Sequence, residues 1–229
     1  MASGLALRGT HTASIARYQH RTLYDQTAVS GIPWHDTPMA KMNAGYQSST
    51  TKADKSGSGS LRELLSGRDR RSIARANDVL ARARANIALV ADLAGLADDD
   101  DWLVAERALD VLEKLAHEHP DWVAPYKNVF IGELADSDKW EIRLQIVRAL
   151  PLFDWPAKTR RRAVEILCRD VEHSQTFVKA WALDSLATFA QKQPELMPVV
   201  HQWLADFDRS GSKALAARAR NIRARLSYT

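Results

Sequence analysis

In the stretch "WALDSLATFA", Trp181 to Ala190, a lone carboxylate, Asp184, follows a large ring, Trp181, by three residues inside an apolar helical run. That spacing puts the acid and the ring on one helical face, the arrangement of a general acid beside a stacking platform. Other reactive side chains are less promising. Cys168, in "AVEILCRD", reads as the buried side of a helix and hence as an inert thiol. His117 and His119 stand two apart before Pro120 with no third ligand in range, which suits surface histidines better than a metal. The run Asp98 to Asp101 lacks the Asp-x-Asp-x-Asp-Gly spacing of a calcium loop, so Asp100 or Asp101 is expected to cap a helix while the others add surface charge.

In "KTRRR", Lys158, Arg160, Arg161 and Arg162 surround the N-terminal half of a helix, where the dipole disfavours cations. They form a candidate basic patch for phosphate or an acidic surface, with a solvated helix face as the plainer alternative. Phosphate-binding glycine loops, a nucleophile elbow and zinc spacing are all missing from the sequence. We therefore expect no catalytic residue, no metal, no cofactor and no enzymatic activity.

The elements that hold these residues come from two regions of the 229-residue chain. Residues 1–60 contain six of the ten glycines and end in "QSSTTKADKSGSGS", a composition with little to bury, so they are expected to form a disordered tail and linker. The first 24 residues lack Asp and Glu and carry Arg8, Arg17 and Arg21 among many Ser and Thr, as transit peptides do. An extension ahead of a natural start near Leu61 is the other reading, and with it a cytoplasmic location.

From Leu61 to Thr229 the sequence turns to Ala, Leu, Arg, Glu and Val with apolar spacings of three and four, the pattern of an all-α body. Breaks such as "AGLADDDD", "HEHPDW", "LADSDKW" and "PLFDWPAK" divide it into helices expected to run 12 to 17 residues. The charge is uneven: residues 98–137 carry 11 acidic and 3 basic side chains, and residues 174–229 carry 4 and 8. That asymmetry can steer a partner.

Aligning "VAERALDVL", "IRLQIVRAL" and "VKAWALDSL" places Val104, Ile142, Val178 and then Leu215 at spacings of 38, 36 and 37. Four residues on stand Ala108, Ile146, Ala182 and Ala219, and four further Leu112, Leu150 and Leu186, so one apolar stripe recurs in each copy. Pro120, Pro156 and Pro194 keep the same step. A repeat of this length is one helical hairpin that must stack on its neighbours to bury its stripe.

The turn-and-second-helix signature of "DSDKWEIRLQIVRAL" and "HSQTFVKAWALDSL" resembles the HEAT repeat of the armadillo-type family, and is weaker in "DDDDWLVAERALDVL" and "SGSKALAARARNIRARL". With "GRDRRSIARANDVLARA" as an opening cap helix, the layout is similar to small bacterial HEAT-repeat proteins without an assigned activity. The resemblance implies a right-handed α-solenoid of about four stacked hairpins over residues 61–229. It also implies a concave face lined by the second helices.

On that face two ladders are the candidate partner-binding residues: Arg107, Gln145, Trp181 and Arg218, three past the stripe position, and Asp110, Arg148, Asp184 and Asn221, six past it. Asp184 thus falls in register with Asp110, which makes it the polar position of a repeat helix, whereas Trp181 has no aromatic counterpart. Trp102, Trp122, Trp140, Trp155 and Trp203 read as packing between hairpins.

The ladders mix both signs with amides and a ring, which suits a protein partner and a monomeric or weakly oligomeric scaffold. The rival class is nucleic-acid binding, because HEAT-like stacks also resemble the alkyl-DNA glycosylases, in which tryptophans and an aspartate line a basic groove. Here Trp181 and Asp184 alone fit that pattern, and the acidic run 98–137 repels phosphate.

Overall fold

In α4, Trp102–Glu118, the stripe positions Val104, Ala108 and Leu112 are each fully buried, and their counterparts in the next second helices are buried alike. The structure, a computed structural model, describes residues 59–227, all of whose regular elements are helical. In order these are α1 (Leu61–Leu65), α2 (Ala76–Ala85), α3 (Leu89–Leu96), α4, α5 (Pro120–Val123), α6 (Trp140–Ala149), α7 (Ala157–Asp170), α8 (Thr176–Lys192), α9 (Met197–Arg209) and α10 (Lys213–Ser227). The tail expected over 1–60 lies outside the described residues, apart from Gly59 and Ser60. No helix among the described residues is long and apolar enough to cross a membrane.

Hairpins form from α3 with α4, α7 with α8, and α9 with α10, and the second helices then stack in a row, α4 on α6, α6 on α8, α8 on α10. Ala108, Ala182 and Ala219, all 0% exposed, let those helices approach closely, and Ile146 is buried at the same position of α6. The Ser185 hydroxyl crosses from α8 to donate to the Val147 carbonyl of α6 at 2.6 Å. Burying each Leu of the stripe contributes roughly 1.5–3 kcal/mol, so the row is an apolar seam and the chain is an α-solenoid of stacked helical hairpins.

The caps follow from the sequence. Ser60 and Glu63 form a reciprocal capping box at α1. Asp101 caps α4 by accepting from the Leu103 N–H at 3.0 Å, while Asp99 accepts from the Asp101 N–H and pairs with Arg62 at 2.7 Å. The acidic run thus caps a helix and ties it to α1. The Arg62 guanidinium holds the Asp99 carboxyl below the usual aspartate range.

Three expectations are corrected. The first helix of the second hairpin is not continuous: α5 has only 4 residues and gives way to 3₁₀ turns over Ala124–Phe130 and Glu133–Asp136. Pro125 has no N–H to donate and its ring meets the preceding turn, so no α-helix runs through it. The cap helix does not reach back to Gly67, because residues 66–75 form a loop in which Ala74 (φ 47°) and Gly67 (φ 155°) adopt left-handed backbone. Helices α2, α3 and α6, with 10, 8 and 10 residues, are shorter than expected. At α6 the cause is Pro151, and the Trp155 indole donates to the Leu150 carbonyl at 2.8 Å in place of the next helical turn.

Candidate partner-binding face

The second helices carry charged, amide and aromatic side chains on the row's polar side, and these side chains meet across the helix boundaries. From α4 come Glu106, Asp110 and Glu113, from α6 Gln145 and Arg148, from α8 Trp181 and Asp184, and from α10 Arg218 and Arg225. The acids of one helix therefore face the bases of the next.

Between α4 and α6, the Gln145 amide donates to Glu106 at 3.1 Å and Arg148 pairs with Glu113 at 3.0 Å. His117, one turn further along α4, also reaches Glu113, at 2.8 Å. Lys114 pairs with Asp110 at 2.5 Å along the same helix. Burial is the chief reason that the Asp110 carboxyl titrates above its ordinary range, and Lys114 opposes the shift. Burial also pushes Glu106 up, to about 7, helped by the charges of Asp110 and Glu141 and opposed by the Gln145 amide.

Between α6, α8 and α10 the centre is Trp181. The guanidinium carbon of Arg218 lies 4.4 Å from the ring centroid and that of Arg148 lies 5.4 Å from it, so cations from both neighbouring helices contact the indole. Asp184 holds Arg218 at 2.9 Å and Arg225 at 2.7 Å. Trp181 and Asp184 thus belong to one charge-paired cluster that joins three helices.

The two expected ladders fare differently. Of the three-past positions, Arg107, Gln145 and Arg218 are 1%, 6% and 6% exposed, and only Trp181 keeps a partly open edge. At the six-past positions, Asp110, Arg148 and Asp184 are partly open and Asn221 is exposed. Arg107 leaves the open face altogether, and this is a correction. Its guanidinium donates to the carbonyls of Leu65 (2.5 Å), Asp69 (3.0 Å) and Ser72 (2.8 and 3.2 Å), clamping the loop before α2 onto α4.

The expected basic patch is largely spent on structure. Arg160 donates to the Trp155 carbonyl at 2.8 and 3.0 Å, Arg161 pairs with Glu165 at 2.9 Å, and Arg162 reaches Asp136 at 2.7 Å. Lys158 stays exposed at the start of α7. The nearby thiol of Cys168 is raised to about 11 by burial, with Glu165 and Glu172 adding to the shift, so at neutral pH it is protonated.

Sequence reasoning missed Glu113, Arg225 and a buried cluster in which Asp170, 0% exposed, binds Arg143 and Arg169 while Arg169 also reaches Asp136. A charged residue one step past the stripe, as Arg143 is to Ile142, was the available signal. The other half of the pair lies 27 residues on and has no periodic counterpart.

Helical hairpins whose second helices stack in one row define the class: a helical-repeat α-solenoid. No family model matches the chain, and no curated protein matches its sequence. Among solved structures it is similar to the designed armadillo repeat protein YIII(Dq)4CqI, with 16% identity over 71% of this chain and 79% of that one, at a TM-score of 0.49. The assignment rests on the stacking contacts described above.

Proposed function

We propose that this chain is a non-enzymatic interaction scaffold that binds a protein segment along the second-helix row. The carrying observation is that Asp110, Arg148, Trp181 and Asp184, each partly open, and exposed Asn221 recur on four consecutive second helices. Those on α4, α6 and α8 are held by ion pairs or ring contacts. Side chains fixed before binding lose less entropy when a partner docks. Their alternating sign suits a segment carrying both charges.

Nucleic acid fits this surface less well. Arg148, Arg218 and Arg225 already face carboxylates, and a phosphate backbone would have to displace them.

The test compares capture of partners from the native cell by wild type, by Asp110→Lys with Asn221→Glu, and by Lys158→Glu on the first-helix side. Partners lost with the ladder variant and kept with Lys158→Glu support the reading. Equal capture by all three places binding elsewhere. Retardation of duplex DNA or RNA that weakens steeply as salt rises would replace the scaffold reading with nucleic-acid binding.

A further inference from the structure

On the first hairpin a groove of about 480 Å³ runs between α1 and α3, lined mainly by Leu61, Ala91, Gly95 and Leu96, with Arg62 and Asp92 among its polar residues. Ala88, Ala91, Asp92 and Gly95 are exposed, so this side of α3 presents side chains of one carbon or none around a single acid. Among the described residues nothing lies within 4 Å of the place a Cβ would take on Gly95. A glycine inside an exposed helix costs about 1 kcal/mol against alanine. What the missing Cβ accommodates here is the close approach of a helix from outside.

The groove is set among acids. Arg62 binds Asp99, at 2.7 and 2.9 Å, and Arg82 donates to the nearby Gly59 carbonyl. Asp92, Asp98 and Asp100 stay exposed. A fitting occupant therefore brings small apolar side chains to the surface of α3 and cations to its acids.

Helix α10 has that pattern. It contains no Asp or Glu, and Lys213, Ala217, Arg220 and Ala224 follow at spacings of four, three and four, one stripe opposite the buried Leu215, Ala219 and Ile222. Lys213, Arg220 and Ala224 are exposed and Ala217 is partly open. The neighbouring acids of α9 are already paired, Asp206 with Arg209 and Asp208 with Arg223, both at 2.5 Å. Arg220 acts on Asp208 as a further cation, so positive charge remains on the stripe. Within one chain the stripe and the groove are separated by the row α4, α6 and α8, so their meeting takes two copies.

We propose that α10 of one copy docks in the groove between α1 and α3 of the next, so that the chain self-associates head to tail. Ala217 and Ala224 meet Ala91 and Gly95, while Lys213 and Arg220 meet Asp92 and the acids that follow α3. The contact joins unlike surfaces, so each pair leaves one groove and one α10 open and grows to a ring or a filament. This goes beyond the scaffold reading and uses neither Asp110 nor Asn221.

The experiment is sedimentation equilibrium of the full chain at low salt. The weight-average mass should rise about twofold or more between roughly 10 µM and 1 mM, the range of weak contacts, and fall back when salt screens the charges. Asp92→Lys and Arg220→Glu should each hold the mass at that of a monomer, and both positions are exposed, so the core is undisturbed. An equal mixture of the two variants should grow again, because every contact then brings opposite signs together at these positions. Gly95→Phe, placed where the helix has open space, should block the groove and give a monomer.

A wild-type mass that stays monomeric at every concentration leaves the groove to another occupant and overturns the proposal. So does growth of either charge variant alone, growth of Gly95→Phe like wild type, or a mixture that stays monomeric. None of these outcomes alters the capture comparison on Asp110 and Asn221, so the two readings fail separately.

Discussion

The guanidinium of Arg218 lies 4.4 Å from the centre of the Trp181 ring and is held there by Asp184, 2.9 Å away on the same helix as the ring. An acid and a ring three residues apart on α8 thereby grip one cation from α10, and Arg148 of α6 contacts the ring as well. The spacing that suggested catalysis works instead as a clasp between repeats.

This clasp is measurable. A double-mutant cycle of Trp181→Leu and Arg218→Met, read by denaturant unfolding, should give a coupling of about 1–2 kcal/mol, the range of a desolvated cation–π contact. Arg218→Lys should recover only part of it, because a compact ammonium lacks the planar face. A coupling near zero would mean that ring and cation are neighbours without attraction.

Arg107→Met should destabilise the chain by about 1–3 kcal/mol, the usual cost of leaving a buried acceptor without its donor. The carbonyls of Leu65, Asp69 and Ser72 would lose their donor, and the loop over 66–75 would open. Limited trypsin digestion should then cut faster at Arg68, Arg70 and Arg71. An unchanged cleavage rate would show that the loop is held by something other than this guanidinium.

Glu106 should make stability depend on pH between about 4.5 and 7. Its folded-state value, about 7, lies above the ordinary 4.5, so the folded protein binds this proton more tightly than the unfolded chain does. The stabilising contribution is complete below about pH 4.5 and is lost as the pH rises through 7, by about 3 kcal/mol at most. His173, held below its ordinary 6.5 mainly by burial, slopes the other way, losing stability as pH falls. The informative quantity is therefore the difference between wild type and Glu106→Gln, measured by denaturant unfolding across this range. The Gln variant should gain on wild type as pH rises, and a constant difference would contradict the raised value.

The repeat was legible because it is a one-dimensional signal. Val104, Ile142, Val178 and Leu215 fall at nearly equal steps, and any helix with that stripe must bury it against a neighbour. Asp184 was recognised as a repeat position by the same register. The break at Pro125 was less visible, because the turns after it keep the spacing of apolar residues while losing the α-helical hydrogen bonds.

By itself the sequence determined the helical class, the hairpin period and the stripe, since each follows from local propensity and apolar spacing repeated along the chain. Only the tertiary structure decided which polar positions stay open. Arg107 and Arg148 both lie on polar edges of second helices, yet the first meets carbonyls from a loop 35 to 42 residues earlier and the second meets Glu113 and an indole. Burial of a charge depends on what arrives beside it, and those partners come from other hairpins at no fixed spacing. Residue type and period therefore located the second-helix face, and the neighbouring elements divided it between structure and surface.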